Sequence, residues 1–341
     1  MKAIGYTRPL PITDSDSLQD FELPKPAPQE RDLLVRVEAM SVNPVDTKIR
    51  RGSPVGPQEA SPRVLGWDAA GIVESVGSDV HLFLPGDEVY YSGSLLRPGA
   101  NSECHLVDER LVAKKPALWN MAQAAAVPLT AITAYEALFD RLGISAYGES
   151  EGKALLIIGG AGGVGSLAIQ LAKIAKLHVI TTASRPDSHA WCRKMGADDV
   201  IDHTYSIPDQ LQQVHRPMVE YILNTAQTDQ HWQAMCEVIK PQGRICGIVD
   251  TTEYVDLNAL KRKSATFVWE FMFTRSMYET EDMIEQHHLL TRIAEWVDDQ
   301  KIQSTLTETL SPIHAANLRT AHGKLESGRM IGKLVLTGWD S

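Results

Sequence analysis

Gly160, Ala161, Gly162, Gly163, Val164 and Gly165 follow an apolar run (154–160) and open a helical pattern (166–176). In that setting the spacing G-x-G-x-x-G has a definite chemistry. The first glycine allows a tight turn, and the second lets backbone approach a pyrophosphate. The third lets the helix pack close to the strand. Free N–H groups and the positive end of the helix dipole then attract phosphate. The motif predicts a bound dinucleotide.

The next apolar run ends TTASRPD (181–187), and that ending distinguishes two dinucleotides. An acidic residue there binds a ribose 2′-hydroxyl, whereas a cation accommodates a 2′-phosphate. Ala183 and Ser184 stand at the acidic positions, Arg185 follows, and Asp187 lies beyond Pro186. A guanidinium grips phosphate through paired, charge-assisted hydrogen bonds. Ser184 and Arg185 therefore predict NADPH.

These residues need a parallel sheet to hold them. Strand-like runs at 154–160, 178–184, 199–202, 219–226 and 243–249 alternate with helical stretches. That alternation implies βαβ units. The first part of the chain has a different texture, with short β-prone runs at 32–42, 69–77, 86–91 and 103–116 separated by Pro and Gly. Residues 121–144 are Ala-rich with helical spacing, interrupted at Pro128. One long helical pattern covers 279–300, and 333–338 is strand-like again. A β start, an α/β middle and a β ending suggest an interrupted domain that the tail completes.

The bulk properties exclude several classes. The 341 residues suit about two domains, and 43% hydrophobic with 22% charged residues suits a globular chain. A formal charge of -10 argues against nucleic acid or an anionic membrane as partner. No apolar run is long enough to predict a membrane span, and the N-terminal residues do not read as a secretion signal, so neither is expected. Four cysteines are too few for a disulfide scaffold, so a cytoplasmic location is expected.

The chain resembles the medium-chain dehydrogenase/reductase superfamily, and within it the zinc-independent quinone oxidoreductases. SVNPVDTKIRRG (41–52), LGWDAAGIVESVGSDV (65–80), PGDEVYY (85–91), AAAVPLTAITAYEAL (124–138), the glycine loop and GADDVIDH (196–203) carry the resemblance. WEFMFTRSMYET (269–280) is similar to a subgroup labelled zinc-type alcohol dehydrogenase-like. The resemblance implies an α/β fold: a doubly wound Rossmann sheet plus a mainly β, GroES-like catalytic domain in two segments. The expected bounds are 1–126 for the first catalytic segment, 127–265 for the coenzyme domain and 266–341 for the return. The active site would lie between the domains.

The subgroup's label mentions zinc, but the ligand positions argue otherwise. Zinc alcohol dehydrogenases are similar in these stretches, with a cysteine where this chain has Asn43 and GHE where it has Gly66-Trp67-Asp68. Amide and indole groups do not replace thiolate and imidazole at zinc. Cys104 and His105 are strand neighbours, and His287 and His288 are helix neighbours, so each pair diverges. No metal is expected.

Without zinc, alkoxide stabilisation is missing and alcohol oxidation is disfavoured. Reduction of a quinone or an α,β-unsaturated carbonyl needs less, because the acceptor delocalises charge. The resemblance places Asn43 beside the nicotinamide as a donor to the acceptor oxygen, with Asp46 orienting it or capping the next turn. Trp67, Tyr91, Phe271 and Phe273 are candidate walls for a planar acceptor. Thr130, Asn224, Gly247, Ile248 and Val249 would face the nicotinamide side. Gly160, Gly162, Gly163, Val164 and Gly165 would hold the pyrophosphate, with Ser184, Arg185 and His203 at the 2′-phosphate and Arg329 over the adenine. A homodimer through the sheet edge near 244–249 is implied. The competing readings are a zinc alcohol dehydrogenase and a non-catalytic NADPH-binding sensor or structural protein. Loops 50–63 and 92–102 are expected to shape the acceptor pocket.

Overall fold

The computed structural model describes residues 1–52 and 62–340, so most of the 50–63 loop lies outside the described residues. The chain divides into two compact units. One comprises Met1–Leu129, Phe273–Gln300 and Ser304–Ser341, and the other Thr130–Met272 with Lys301–Gln303.

The second unit is built on a six-stranded parallel sheet. Its strands run, in spatial order, Asp199–Ile201, His178–Thr182, Ala154–Ile158, Val219–Asn224, Ile239–Gly247 and Thr266–Trp269. Counted along this unit the order is 3-2-1-4-5-6, the doubly wound Rossmann arrangement. Every residue of Ala154–Ile158 is buried, which is why this strand is uniformly apolar rather than alternating. Leu156, Ile158, Ile180, Ile222 and Ile245 on the sheet join Leu211, Met235 and Val238 on flanking helices in one core. The last strand lies beyond the boundary drawn at residue 265. It belongs here because Arg244 to Gly247 pair with Thr266 to Trp269 in parallel register.

The first unit is mainly β. Its long strand Asp32–Ser41 is the spine, pairing antiparallel with Asp68–Val76, Cys104–Asp108 and Lys333–Thr337. The C-terminal strand therefore returns to the N-terminal sheet, as the interrupted pattern predicted. A smaller sheet joins Lys2–Tyr6 to Gln19–Glu22 and Arg63–Val64. The 103–116 run is two strands rather than one, because Glu109–Leu111 forms a 3-10 turn. Glu109 is buried and accepts from the His81 and Leu82 N–H groups, which fixes that turn.

The helical pattern expected over 279–300 is also shorter. A helix Thr274–Tyr278 ends at Glu279, which sits at φ 44 in the left-handed region. The regular helix is Glu285–Asp298, with Leu289, Leu290, Ile293, Trp296 and Val297 buried at helical spacing. Among the described residues no helix is long and apolar enough to cross a membrane.

Candidate active site

The glycine loop sits at the carboxyl edge of the parallel sheet, between Ala154–Ile158 and the helix Gly163–Ile174. Its glycines differ in what they require. A Cβ on Gly160 would lie 1.9 Å from Thr181 Oγ1, and one on Gly165 would lie 2.3 Å from the Gly159 carbonyl oxygen. Both positions are closed by packing. Gly162 is open, with its nearest neighbour 3.8 Å from an added Cβ. The first helical bond runs from the Ser166 N–H to the Gly162 carbonyl at 2.9 Å, so the N–H groups of residues 163–165 precede the helical ladder. An open glycine before a helix N-terminus is a cradle for phosphate.

Ser184 and Arg185 stand beside this loop. The Gly160 N–H donates to the Thr182 carbonyl at 3.1 Å, which ties the loop to the end of the neighbouring strand. Ser184 is exposed and Arg185 half-buried, at the start of the helix Pro186–Met195. His203 follows the next strand, Asp199–Ile201, and its ring meets His231 edge-on at 6.3 Å. These three residues thus end or follow adjacent strands at the same edge.

Asn224 and Gly247 pair in register at the ends of their strands. Asn224 is fully buried and its Nδ2 donates to Thr228 Oγ1 at 2.9 Å. The Ile248 N–H donates to the Asn224 carbonyl at 3.1 Å, and the Val249 carbonyl accepts from Thr228 Oγ1 at 2.5 Å. Asn224 therefore staples this edge together. Thr130 is buried in the helix Pro128–Tyr135.

In the first unit the strand registers converge on one point. Ser41 pairs with Asp68 on one side and with Val335 on the other, which brings Asn43, Asp68 and Lys333 together. Lys333 Nζ donates to Asp68 Oδ2 and the Val42 carbonyl, each at 3.1 Å, and also to Asn43 Oδ1. Three acceptors use all three ammonium hydrogens. Asp68 accepts in addition from Asn43 Nδ2 and from the Leu129 N–H, both at 2.7 Å. The ammonium facing Oδ1 fixes the Asn43 amide in one orientation. All three side chains are buried, so this is an ion pair with satisfied partners rather than a surface bridge.

Asp46 lies alongside. Its Oδ2 accepts from the Asn43 N–H at 2.6 Å, across the start of the helix Pro44–Arg50. Burial pushes the Asp46 carboxyl up to about 7, opposed by the Asn43 N–H and by Lys333.

The aromatic candidates separate. Trp67 is buried, donates from Nε1 to the Ser94 carbonyl at 3.0 Å, and meets Phe273 edge-on. Tyr91 is buried and stacked on His105, with its hydroxyl 3.0 Å from Nδ1. Burial lowers His105 to about 4, so the ring is neutral. Its Nε2, 3.0 Å from the Pro98 carbonyl, then carries the hydrogen and Nδ1 accepts from Tyr91. Trp67, Tyr91 and Phe273, three of the candidate walls, are thus buried. Trp67 holds the 92–102 loop at Ser94, and Tyr91 holds it at Pro98 through His105. Phe271, in the other unit, is 46% exposed. Arg329 is exposed in the turn after the helix Ala315–Glu326.

Asp68 and Lys333 were not among the residues singled out from sequence. The available signal was a lysine heading an apolar strand, KLVLTG, and a carboxylate heading another, DAAGIV. Among the described residues no group of three or more His, Cys, Asp or Glu could hold a metal ion.

Two family models cover most of this architecture. The alcohol dehydrogenase GroES-like domain matches residues 29–128, and the zinc-binding dehydrogenase model matches 195–336. A zinc-type alcohol dehydrogenase-like protein of Staphylococcus aureus is 47% identical over 337 residues, covering 98% of this chain and 99% of the relative. The chain belongs to the medium-chain dehydrogenase/reductase superfamily. Its fold is accordingly the GroES-like and Rossmann pair of that superfamily of oxidoreductases. Among solved members, a putative zinc-dependent alcohol dehydrogenase from Rhizobium etli shares 49% identity at a TM-score of 0.95, covering 100% of this chain and 99% of that one. The quinone oxidoreductase from Coxiella burnetii shares 28% identity at a TM-score of 0.80, covering 99% of each chain.

Proposed function

We propose that this medium-chain reductase uses NADPH to reduce a quinone or an α,β-unsaturated carbonyl, without zinc. The observation that carries the reading is the Lys333 ammonium on Asp68 and Asn43. In relatives that bind a catalytic zinc this neighbourhood supplies thiolate and imidazole. Here it offers an amide, an indole, the Asp68 carboxylate already engaged by a cation, and the Asp46 carboxyl, which burial drives toward its neutral form. These groups do not fit zinc.

The coenzyme does fit the second unit. The open Gly162 and the N–H groups of residues 163–165 would hold the pyrophosphate, and Ser184, Arg185 and His203 the 2′-phosphate. Thr130, Asn224 and residues 247–249 would bound the nicotinamide end. When bound, the nicotinamide supplies hydride. Lys333 and Asp68 hold the Asn43 amide so that its second Nδ2 hydrogen remains to donate to an acceptor oxygen. Asp46 fixes the Asn43 backbone. Phe271 offers an exposed ring for a planar acceptor. The Coxiella burnetii likeness supports quinone as an acceptor class. Homodimerisation and a cytoplasmic location complete the proposal.

The coenzyme assignment is tested with Arg185→Ala. Selective loss of NADPH affinity, with NADH affinity unchanged, supports it; unchanged affinity for both removes Arg185 from the site.

A further inference from the structure

The WEFMFTRSMYET motif contains a charged residue that the roles above leave unused. Glu270 follows the strand Thr266–Trp269 and is buried. Beside it lies Glu136, also buried, at the start of a π turn, Glu136–Arg141. The Leu142 N–H donates to the Ala137 carbonyl at 2.9 Å, five residues back. Such turns are rare and cluster at functional sites. This one brings Arg141 over Glu136, with Nη2 3.6 Å from Glu136 Oε2 and Nε 2.8 Å from Glu270 Oε2.

One guanidinium therefore faces two buried carboxyl groups. If both were ionised, these three groups together would carry a net negative charge away from water. A single shared proton removes it, as in other paired carboxyl sites. Burial, and then the neighbouring Glu136, hold Glu270 well above the usual carboxylate range, with Arg141 pulling the other way. Cys246 also faces the pair, and its thiol is raised by burial and by Glu270.

The pair is joined to the coenzyme edge through backbone. The Glu270 N–H donates to the Gly247 carbonyl at 2.9 Å. Gly247 is in register with Asn224 and with Trp269. The helix Pro128–Tyr135, which carries Thr130, runs directly into the π turn. Both elements that bound the nicotinamide end thus meet at these two carboxyl groups.

We propose that Glu136 and Glu270 share one proton and, with Arg141, form a positioning lock for the nicotinamide end of the coenzyme site. The inference rests on the coenzyme reading above. While the proton is held, the pair is neutral against itself and clamps the π turn to the strand end. Loss of the proton sets two carboxylates against each other and loosens Thr130 and Gly247 together. A carboxyl raised in the folded state contributes stability that is complete at acid pH and lost as pH rises through its folded value. The lock therefore opens on the alkaline side.

The test measures NADPH affinity of the full chain by tryptophan-fluorescence quenching, from about pH 6 to about pH 10, with thermal unfolding in parallel. Wild type is compared with Glu270→Gln, Glu136→Gln and Glu270→Ala. The lock predicts that the wild-type dissociation constant rises about tenfold or more on the alkaline limb. Both glutamine variants flatten that rise, because an amide imitates the protonated carboxyl. Glu270→Ala weakens affinity at every pH, and glutamine rescues it. Identical alkaline limbs in wild type and both glutamine variants overturn the proposal. If one glutamine variant does not fold, the other carries the comparison. If the wild type binds neither NADPH nor NADH, the coenzyme reading fails and melting temperatures decide the lock. An alkaline fall in Tm that glutamine removes supports it, and an equal fall in all proteins overturns it.

Discussion

Lys333 Nζ lies 3.1 Å from Asp68 Oδ2, and their side chains are 4% and 0% exposed. Removing one partner of such a pair strands the other in a dry interior, which typically costs about 3–5 kcal/mol. Lys333→Met should therefore destabilise the protein by roughly that amount in urea unfolding. The double variant Lys333→Met/Asp68→Asn should recover part of the loss, since the stranded charge is gone. A loss below about 1 kcal/mol for the single variant would show that Lys333 reaches solvent instead.

Asp46 makes a second prediction, through pH. Its carboxyl is raised to about 7 by burial, so the folded state holds a proton that the unfolded chain releases near pH 4. Its stabilisation is then present below that lower value and is lost as pH rises through about 7. Relative to Asp46→Asn, wild-type unfolding free energy should fall by roughly 3–4 kcal/mol across this window. Parallel stability profiles for the two proteins would place the Asp46 titration outside it.

The glycine loop predicts a contrast between two alanines. Gly165→Ala forces a methyl against the Gly159 carbonyl at 2.3 Å and should cost about 1–3 kcal/mol in stability. Gly162→Ala meets nothing closer than 3.8 Å and should melt like wild type. Its added methyl instead stands where a pyrophosphate would approach, so NADPH affinity should fall about tenfold. Equal melting of both variants would mean that helix and strand are not closely packed there.

The parallel sheet and the glycine loop were legible in sequence for a physical reason. Strands buried on both faces must be continuously apolar, and the loop must be free of Cβ at Gly160 and Gly165. The returning strand was legible because KLVLTG had no place in an α/β pattern. The buried polar residues were not. Asn43 and Asp46 were visible through family pattern, but their partners Asp68 and Lys333 lie 265 residues apart. Only the antiparallel register around Ser41 brings them together. The burial of Trp67 and Tyr91 was hidden for a related reason. Residue type marks Trp67 and Tyr91 as large and apolar, but hydrogen bonds to Ser94 and His105 decide that they face inward. Glu136 and Glu270 depend on a π turn, whose extra residue leaves no periodic mark in sequence.

Hydride transfer from NADPH to a quinone without zinc is tested most directly by one measurement. Purified protein is dialysed exhaustively against a strong chelator, its metal content is determined, and loss of NADPH absorbance is followed with 1,2-naphthoquinone. The predicted result is undiminished turnover with far less than about one zinc per chain. Turnover that disappears with the metal and returns on adding zinc would contradict it.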